Sequence, residues 1–240
     1  MKKIFLIITL LICAYSYAQD TINKDKKCIK ICNGFYKNNP HHFTMTIGYD
    51  YMLSDKHDLN VFSLYKRSDH ARHMRYGINY ELNYNYNFHK NFALGFVASM
   101  YNAFDSFYKD ESKEETFSDD RYIFYIGPSF LAHTNFINKK WYFYAGATLG
   151  FMNFRNATRT EIPLGGVMSS TSYTYKRVTF GYGVQAGAEY LINKYFSLNG
   201  QVHFMGGSIS KVKEGDDKIE LSDSENLTRL GVALGVKIKL

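Results

Sequence analysis

The stretch Tyr76–Phe88, which reads YGINYELNYNYNF, alternates between two kinds of side chain over thirteen residues. Its even-numbered positions hold tyrosine, isoleucine, leucine or phenylalanine, and its odd-numbered positions hold glycine, asparagine or glutamate. An alternation with a period of two predicts a β-strand with one apolar face and one polar face. Strands of soluble proteins are usually about 5–6 residues long, whereas a strand that crosses a bilayer needs about 9–11 residues. The stretch is therefore long enough to cross a membrane.

Seven further stretches alternate in a similar way, which brings the number of predicted strands to eight. They are Phe43–Leu53, Phe92–Phe104, Arg121–His133, Trp141–Phe154, Ser172–Ile192, Phe196–Ser210 and Leu227–Leu240. The chain contains 21 tyrosines and 19 phenylalanines but only 3 prolines. This composition favours a strand-rich protein with many half-exposed aromatic side chains.

The connections between the predicted strands differ in length. Three are short, contain asparagine and lysine, and lie between large apolar residues: Phe88–Phe92, Phe136–Trp141 and Ile192–Phe196. Four are long and polar: Ser54–Arg75, Asp105–Asp120, Arg155–Thr171 and Lys211–Asn226. Short turns on one side and long loops on the other are typical of bacterial outer-membrane barrels whose termini both lie in the periplasm. The sequence therefore predicts an all-β fold, an eight-stranded antiparallel transmembrane up-and-down β-barrel over residues 43–240.

A soluble barrel or sandwich, the alternative fold, would turn the apolar faces of these strands inward. The polar faces carry small residues such as Asn79, Gly146 and Gly183, which suit the narrow interior of an eight-stranded barrel. The apolar faces are too bulky and aromatic to fill so small a core. We therefore expect the apolar faces to contact lipid.

Two features fit this pattern less simply. Pro128 lies inside the fourth predicted strand and removes a backbone donor, so we expect a bulge or a strand edge there. The stretch Leu59–Lys66 could form a further strand. Because a further transmembrane strand would break the even count, we interpret it as an extension above the membrane or an ordered loop.

The first eighteen residues have the pattern of a signal peptide. Lys2 and Lys3 precede the apolar run Ile4–Ala14, and Ser16–Ala18 offers small residues at the two positions that a signal peptidase reads. The run is too short for a transmembrane helix, which needs about 20 apolar residues. We predict a cleaved signal peptide at 1–18, a periplasmic segment at 19–42 and integral location in the bacterial outer membrane.

Three cysteines precede the barrel. Lipidation of Cys13 is disfavoured because the bulky Ile12 stands where a small residue is needed. Cys28 and Cys32 are a possible disulfide, which the oxidising periplasm would allow. On a strand their Cα atoms would lie about 13 Å apart, too far for a bridge, so a disulfide requires a helical turn or a tight loop. A bridge and two free thiols both remain open.

The pattern resembles the small outer-membrane β-barrel proteins of the opacity-protein and outer-membrane-protein-X type, in the form exported by Bacteroidetes-like bacteria. The resemblance rests on the Ala18–Gln19 junction, the Tyr/Asn alternation, the segment Ile126–Pro128 and the closing segment Leu234–Leu240. A terminal phenylalanine, frequent in proteobacterial barrels, is replaced here by leucine. Members of this family serve in adhesion, envelope stability, passage of small apolar solutes or unknown roles, so the resemblance implies the fold without choosing a function.

Several charged or polar residues lie on the predicted inner faces. They are Glu81, Arg177, Glu189, Gln201, His203, Arg229 and Lys237. An unpaired charge is costly inside a narrow barrel, so we expect these residues to form a polar network of ion pairs that closes the lumen. The alternative is a gate in which the pairs exchange and open a small conductance.

The histidines suggest two further kinds of site. His57, His70 and His73 lie in the first long loop, where a spacing of three could hold a metal on a helix. No acidic or cysteine ligand is placed to complete that site, so we predict no metal site and no cofactor.

A lipid-modifying enzyme would need a nucleophile beside a base. His133 and His203 lie on the polar faces, with Ser197 and Ser208 on the same strand as His203. No spacing in the sequence brings a serine and a histidine together. We therefore predict that the protein is not an enzyme.

Charge and loop composition bear on partners. The net charge of +7 falls to +5 without Lys2 and Lys3, and the cations are not clustered, which disfavours nucleic acid. The long connections 105–120 and 211–226 are rich in acidic residues. We expect contacts with outer-membrane lipid and lipopolysaccharide, and with envelope proteins through the long loops or residues 19–42. The predicted role is structural, adhesive or interactive, with a narrow channel as the alternative.

Overall fold

The computed structural model describes residues 40–53, 72–108, 116–134, 140–164, 167–215 and 217–240. The predicted signal peptide, the two cysteines of the possible disulfide, His57, His70 and the stretch Leu59–Lys66 lie outside these residues. Nine strands are present in the described parts: β1 His41–Met52, β2 Tyr76–His89, β3 Phe92–Tyr108, β4 Thr116–His133, β5 Trp141–Leu164, β6 Val167–Leu191, β7 Phe196–Glu214, β8 Asp217–Asn226 and β9 Arg229–Lys239. The described residues contain no helix that is long and apolar enough to cross a membrane.

Eight of the strands form a closed antiparallel ring. Its order is β1, β2, β3, β4, β5, β6, β7 and β9, and β9 pairs back to β1 from His42–Lys239 to Met52–Arg229. The remaining strand, β8, pairs with the end of β7 beyond the ring. The predicted eight-stranded antiparallel barrel is confirmed, with a hairpin extension that the sequence analysis had assigned to a loop.

Three of the four predicted long loops are largely strand. β3 and β4 stay paired as far as Tyr108–Thr116, and β5 and β6 stay paired as far as Leu164–Val167. The prediction of polar loops was wrong because it searched for one apolar face. Beyond the membrane the outward face of a strand meets water, and the buried inward face carries polar residues such as Asp119, Asn156 and Thr158. A paired strand there needs no apolar face, so its alternation is lost.

Smaller corrections concern strand ends and proline. β1 begins at His41, two residues before its predicted start, and a bulge between Asn87 and His89 carries β2 one residue further than predicted. The bulge expected at Pro128 is absent, since β4 and β5 keep one register from Ile126–Phe151 to Ser129–Thr148. The proline only removes a donor, and its carbonyl accepts a 2.8 Å hydrogen bond from Thr148 Oγ1.

The two faces of the barrel wall differ in polarity as a bilayer requires. Large apolar side chains stay exposed on the outside, among them Leu234 at 72%, Phe151 at 62% and Met45 at 61%. Polar side chains on the alternate positions, such as Thr44 and Asn83, are buried inside. A closed ring whose backbone groups pair internally and whose outer surface is apolar is stable in lipid rather than in water. The soluble alternative is thereby rejected.

The interior itself has two halves. The half near the short turns and the chain ends is filled by polar and charged side chains. The half toward the long connections holds an apolar cluster that includes Met52, Val97, Tyr101, Ile123, Tyr125, Met152, Phe154, Met205, Ile209 and Leu227. Buried polar side chains adjoin this cluster, namely Asp119, Arg121, Asn156, Thr158 and Glu225. The sequence analysis expected small or polar residues along the whole interior, so this apolar half is a correction.

Candidate functional site in the barrel interior

The central cluster of the lumen, where the polar half meets the apolar half, is an ion pair with a histidine beside it. Arg229 Nε donates to Asp50 Oδ2 at 3.0 Å, and His203 Nε2 donates to Asp50 Oδ1 at 2.8 Å. The side chains of all three residues are fully buried. They come from β1, β7 and β9, so this cluster ties together the three strands at which the ring closes.

The cluster continues across the lumen to two more strands. Arg229 Nη2 donates to Ser99 Oγ at 3.3 Å, and Ser99 Oγ donates to Asn79 Oδ1 at 2.8 Å. Asn79 Nδ2 lies 3.0 Å from His203 Nε2, and because that ring nitrogen donates to Asp50 this approach is a packing contact. The Arg229 guanidinium also stands over the ring of Tyr101, 5.6 Å from its centroid, where the polar half meets the apolar half. One connected set of contacts thus joins five of the eight strands.

Glycine makes room for this cluster at one position of β9. Register places Gly231 between Asp50 on one side and His203 on the other. A Cβ atom at Gly231 would overlap the Asp50 carboxylate and would lie 2.5 Å from His203 Nε2. The absence of a side chain therefore lets the carboxylate and the imidazole meet.

A second cluster lies nearer the short turns and holds one buried carboxylate among amides. Glu81 Oε1 accepts hydrogen bonds from Gln201 Nε2 at 2.7 Å and from Asn83 Nδ2 at 2.5 Å. Tyr144 donates to Asn199 at 2.8 Å and to Gln201 at 2.9 Å from β5. No cation forms an ion pair with Glu81 within the described part of the chain, so here the expectation that charges would pair with charges was wrong. Neutral amides bind Oε1 instead, while the buried Oε2 has no hydrogen-bond partner among the described residues.

A third cluster closes the end of the barrel at the short turns. Glu189 binds Lys237 Nζ at 2.8 Å through Oε2 and Lys239 Nζ at 2.6 Å through Oε1. Lys239 is buried and also stands 5.1 Å from the ring centroid of Tyr142. Two cations thus share one carboxylate at the level of the chain terminus.

Six of the seven residues proposed for the lumen network lie in these three clusters. Arg177 does not join them: it is half-buried near the middle of β6, and no hydrogen bond or ion pair within the described chain links it to the clusters. It falls in a stretch where β6 and β7 lose register, between Lys176 and Gly181. The sequence analysis missed Asp50 and Lys239, although both stand on polar faces of their strands.

The surroundings of the histidines do not favour a catalytic or metal-binding role. His203 contacts a carboxylate, but Ser99, the hydroxyl of the same cluster, bonds to Asn79 and Arg229 instead. The imidazole is fully buried, so a substrate would have to displace the network. In the first long connection His73 lies 3.4 Å from Asp105, and the described residues contain no group of three metal-ligating side chains.

Comparisons with known proteins give likenesses of structure. Neither a protein-family model nor a curated protein matches the chain. It is similar to the crystal structure of Neisserial surface protein A at 17% identity and a TM-score of 0.49, over 84% of this chain and 97% of that one. It is also similar to the outer membrane protein OprG of Pseudomonas aeruginosa at 12% identity and a TM-score of 0.48, over 84% and 97%.

A further likeness is to Ail, the attachment invasion locus protein of Yersinia pestis, at 17% identity and a TM-score of 0.37, over 83% and 98% of the two chains. The fold assignment itself rests on the closed ring, the outward apolar side chains and the buried polar clusters described above. The chain has the fold of the small eight-stranded outer-membrane β-barrel proteins.

Proposed function

We propose that this protein is a closed barrel of the bacterial outer membrane that acts in envelope structure, adhesion or another interaction, and that it is neither a channel nor an enzyme. The observation that carries the proposal is the filled interior. Polar clusters occupy the lumen at three successive levels, and the apolar cluster lies above them. Opening a path for solutes would separate groups that are paired out of water, which costs several kcal/mol per ion.

The strands that project beyond the membrane supply the interaction surface. β5 and β6 remain paired for about ten residues past Phe154 and Arg177. At about 3.3 Å per residue and a tilt of about 45°, this hairpin rises roughly 23 Å above that level. Most of its exposed side chains are polar, and an ion pair joins Arg159 to Glu161 at 2.8 Å. A rigid polar hairpin of this kind suits contacts with a protein or glycan partner at the cell surface.

Outer-membrane lipid and lipopolysaccharide are the surroundings that this surface implies. Envelope proteins would dock on the extended hairpins, or on residues 19–42 from the periplasmic side. Neither the clusters nor the histidines call for a cofactor.

Liposome swelling separates the closed barrel from the channel. Vesicles that contain the purified protein are transferred into solutions of small sugars or amino acids, with a known porin as the positive control. We expect swelling no faster than in protein-free vesicles. Swelling that depends on solute size would establish the channel instead.

Co-purification from native outer membrane tests the interaction role. We expect an envelope partner to be retained by the intact chain and lost when the β5–β6 hairpin is shortened beyond Arg155. A barrel that loses no partner on shortening would refute the role of the hairpin. His203→Ala is the matching enzyme test, since unchanged lipid composition is expected and a loss of lipid turnover would support the lipid-modifying alternative.

A further inference from the structure

Four cations form a continuous row across the outer wall of the barrel. Register places Arg155 of β5 opposite Lys176 of β6, Lys176 opposite Lys213 of β7, and Lys213 opposite Lys218 of β8. All four side chains are exposed. Because neighbouring strands lie about 4.8 Å apart, the row spans roughly 14 Å.

The row faces outward, away from the lumen. Successive residues of a strand point to opposite faces, and the neighbours of the cations point inward. Phe154 precedes Arg155 and Val212 precedes Lys213, and both are fully buried; Tyr175 precedes Lys176 and is 8% exposed. The cations therefore occupy the surface that meets lipid and solvent.

Three lysines of the row have no ion-pair partner among the described residues, unlike the surface cation Lys211, which pairs with Glu220. Like charges directly opposite each other in a sheet are destabilising. Within the described residues no carboxylate forms an ion pair with Lys176, Lys213 or Lys218, while Arg155 has Asp120 as an electrostatic neighbour. Two strand positions away, a hydrogen bond from Lys211 lowers the pKa of the Glu220 carboxyl. The row is thus open to an anion other than the carboxylates of the described residues.

The row reaches the rim of the apolar wall at Lys176 of β6. The outward positions of β6 from Tyr190 to Val178 are all apolar or aromatic. This stretch of thirteen residues covers about 40 Å along the strand, or about 28 Å in height at a tilt of about 45°, which matches the apolar band of about 25 Å in outer-membrane barrels. Lys176 is the next outward residue. It therefore stands where hydrocarbon gives way to headgroups, on the side of the long connections.

We propose that the row Arg155–Lys176–Lys213–Lys218 binds the phosphate groups of a phosphorylated lipid in the outer leaflet. Lysine binds phosphate as a point charge, and each basic residue near an anionic lipid surface strengthens binding about fivefold. A polar cleft of about 430 Å³ beside the row, lined in part by Ser172, Thr174 and Glu214, gives room for a headgroup. The proposal rests on the outer-membrane location proposed above and adds one ligand class to the interaction role.

The test compares two triple variants with the same change of charge. Lys176→Gln/Lys213→Gln/Lys218→Gln removes three cations of the row, and Lys140→Gln/Lys194→Gln/Lys211→Gln removes three lysines outside it. Each protein is purified into neutral detergent, mixed with diphosphorylated lipid A, and its retained lipid is counted by native mass spectrometry. Parallel samples receive lipid A without phosphates, or inorganic diphosphate as a soluble competitor.

We expect the wild type and the control to retain diphosphorylated lipid A and the row variant to bind it about a hundredfold more weakly. Loss of retention without the phosphates is also expected, as is competition by inorganic diphosphate only at far higher concentration than the lipid. Equal retention by the row variant, equal loss in the control, or retention of the unphosphorylated lipid would each overturn the proposal.

Folding is checked by thermal unfolding in phosphatidylcholine vesicles, where we expect the row variant to be at least as stable as the wild type because a repulsion has been removed. A conductance in liposomes would refute the closed barrel without affecting lipid retention, so the two proposals fail separately.

Discussion

The two halves of the barrel interior are closed by different chemistry. Toward the short turns the lumen is crossed by hydrogen bonds and ion pairs, centred on Asp50, Glu81 and Glu189. Toward the long connections it is packed with side chains such as Ile123 and Phe154, which are both fully buried. The polar half fixes which strands meet, because each bond needs its own partner, whereas the apolar half contributes burial and tolerates replacements of similar volume. The two halves should therefore respond differently to single substitutions.

The largest effect is expected from breaking the central ion pair. Asp50→Ala leaves the buried Arg229 guanidinium without its carboxylate, which should reduce the free energy of unfolding by about 3–5 kcal/mol. Urea unfolding of the reconstituted protein, followed by the fluorescence of the single tryptophan Trp141, measures the change. The double variant Asp50→Ala/Arg229→Met should recover most of the loss. A change below about 1 kcal/mol for Asp50→Ala would show that the pair is not buried as described.

A slightly smaller effect is expected in the apolar half. Ile123→Ala removes packed methyl groups and leaves a cavity, so the free energy of unfolding should fall by about 3 kcal/mol. The matched control is Ile47→Ala, whose side chain faces outward and is 55% exposed. In the same urea assay the free energy of unfolding should fall much less for the control. Equal losses at the two positions would argue against an apolar cluster inside the barrel.

A substitution that overpacks the central cluster should reduce the free energy of unfolding by a smaller amount than Ile123→Ala. Gly231→Ala places a methyl group against Asp50 and His203, and we expect a loss of about 1–3 kcal/mol. Gly200→Ala is the control, since a Cβ atom there would approach only Leu234, at 3.4 Å. The difference between the two midpoints in urea is the readout. Tolerance of both substitutions would mean that Gly231 is not needed for the contact of Asp50 with His203.

The smallest effect is expected at the carboxylate that has amide partners. Glu81→Gln keeps an oxygen that can accept from Asn83 and Gln201, and it removes a buried charge that no cation pairs in the described chain. We expect the free energy of unfolding to change by less than about 1 kcal/mol. The comparison variant Asp50→Asn should be clearly destabilised. A large loss for Glu81→Gln would reveal that the charge of Glu81 is itself needed, and would favour the gate.

The sequence predicts the barrel well because its main signal is local. Alternation over Tyr76–Phe88 is visible in one segment, and the outward apolar face follows from it. It does not predict the apolar half of the interior, because both faces of Tyr122–Ile126 are apolar or aromatic and give no contrast. Where both faces look alike, alternation cannot tell inside from outside.

The site was only partly predictable for a different reason. Strand parity places Asp50 on the inner face with Thr44 and Thr46, so the residue could have been found from the sequence. The partners of Asp50 could not be found from the sequence. Arg229 and His203 lie 179 and 153 residues away from Asp50 and contact it only because of the registers of β1, β7 and β9. Pairing across a ring depends on that register, which single-strand patterns leave open.

Single-channel recording in planar bilayers tests the closed interior most directly. The wild-type protein is incorporated at low density, with a known porin to confirm that insertion would be detected, and current is recorded over a range of voltages. The three polar levels and the apolar cluster predict no discrete conductance. Reproducible stepwise openings of the wild-type protein would contradict the account and establish a channel.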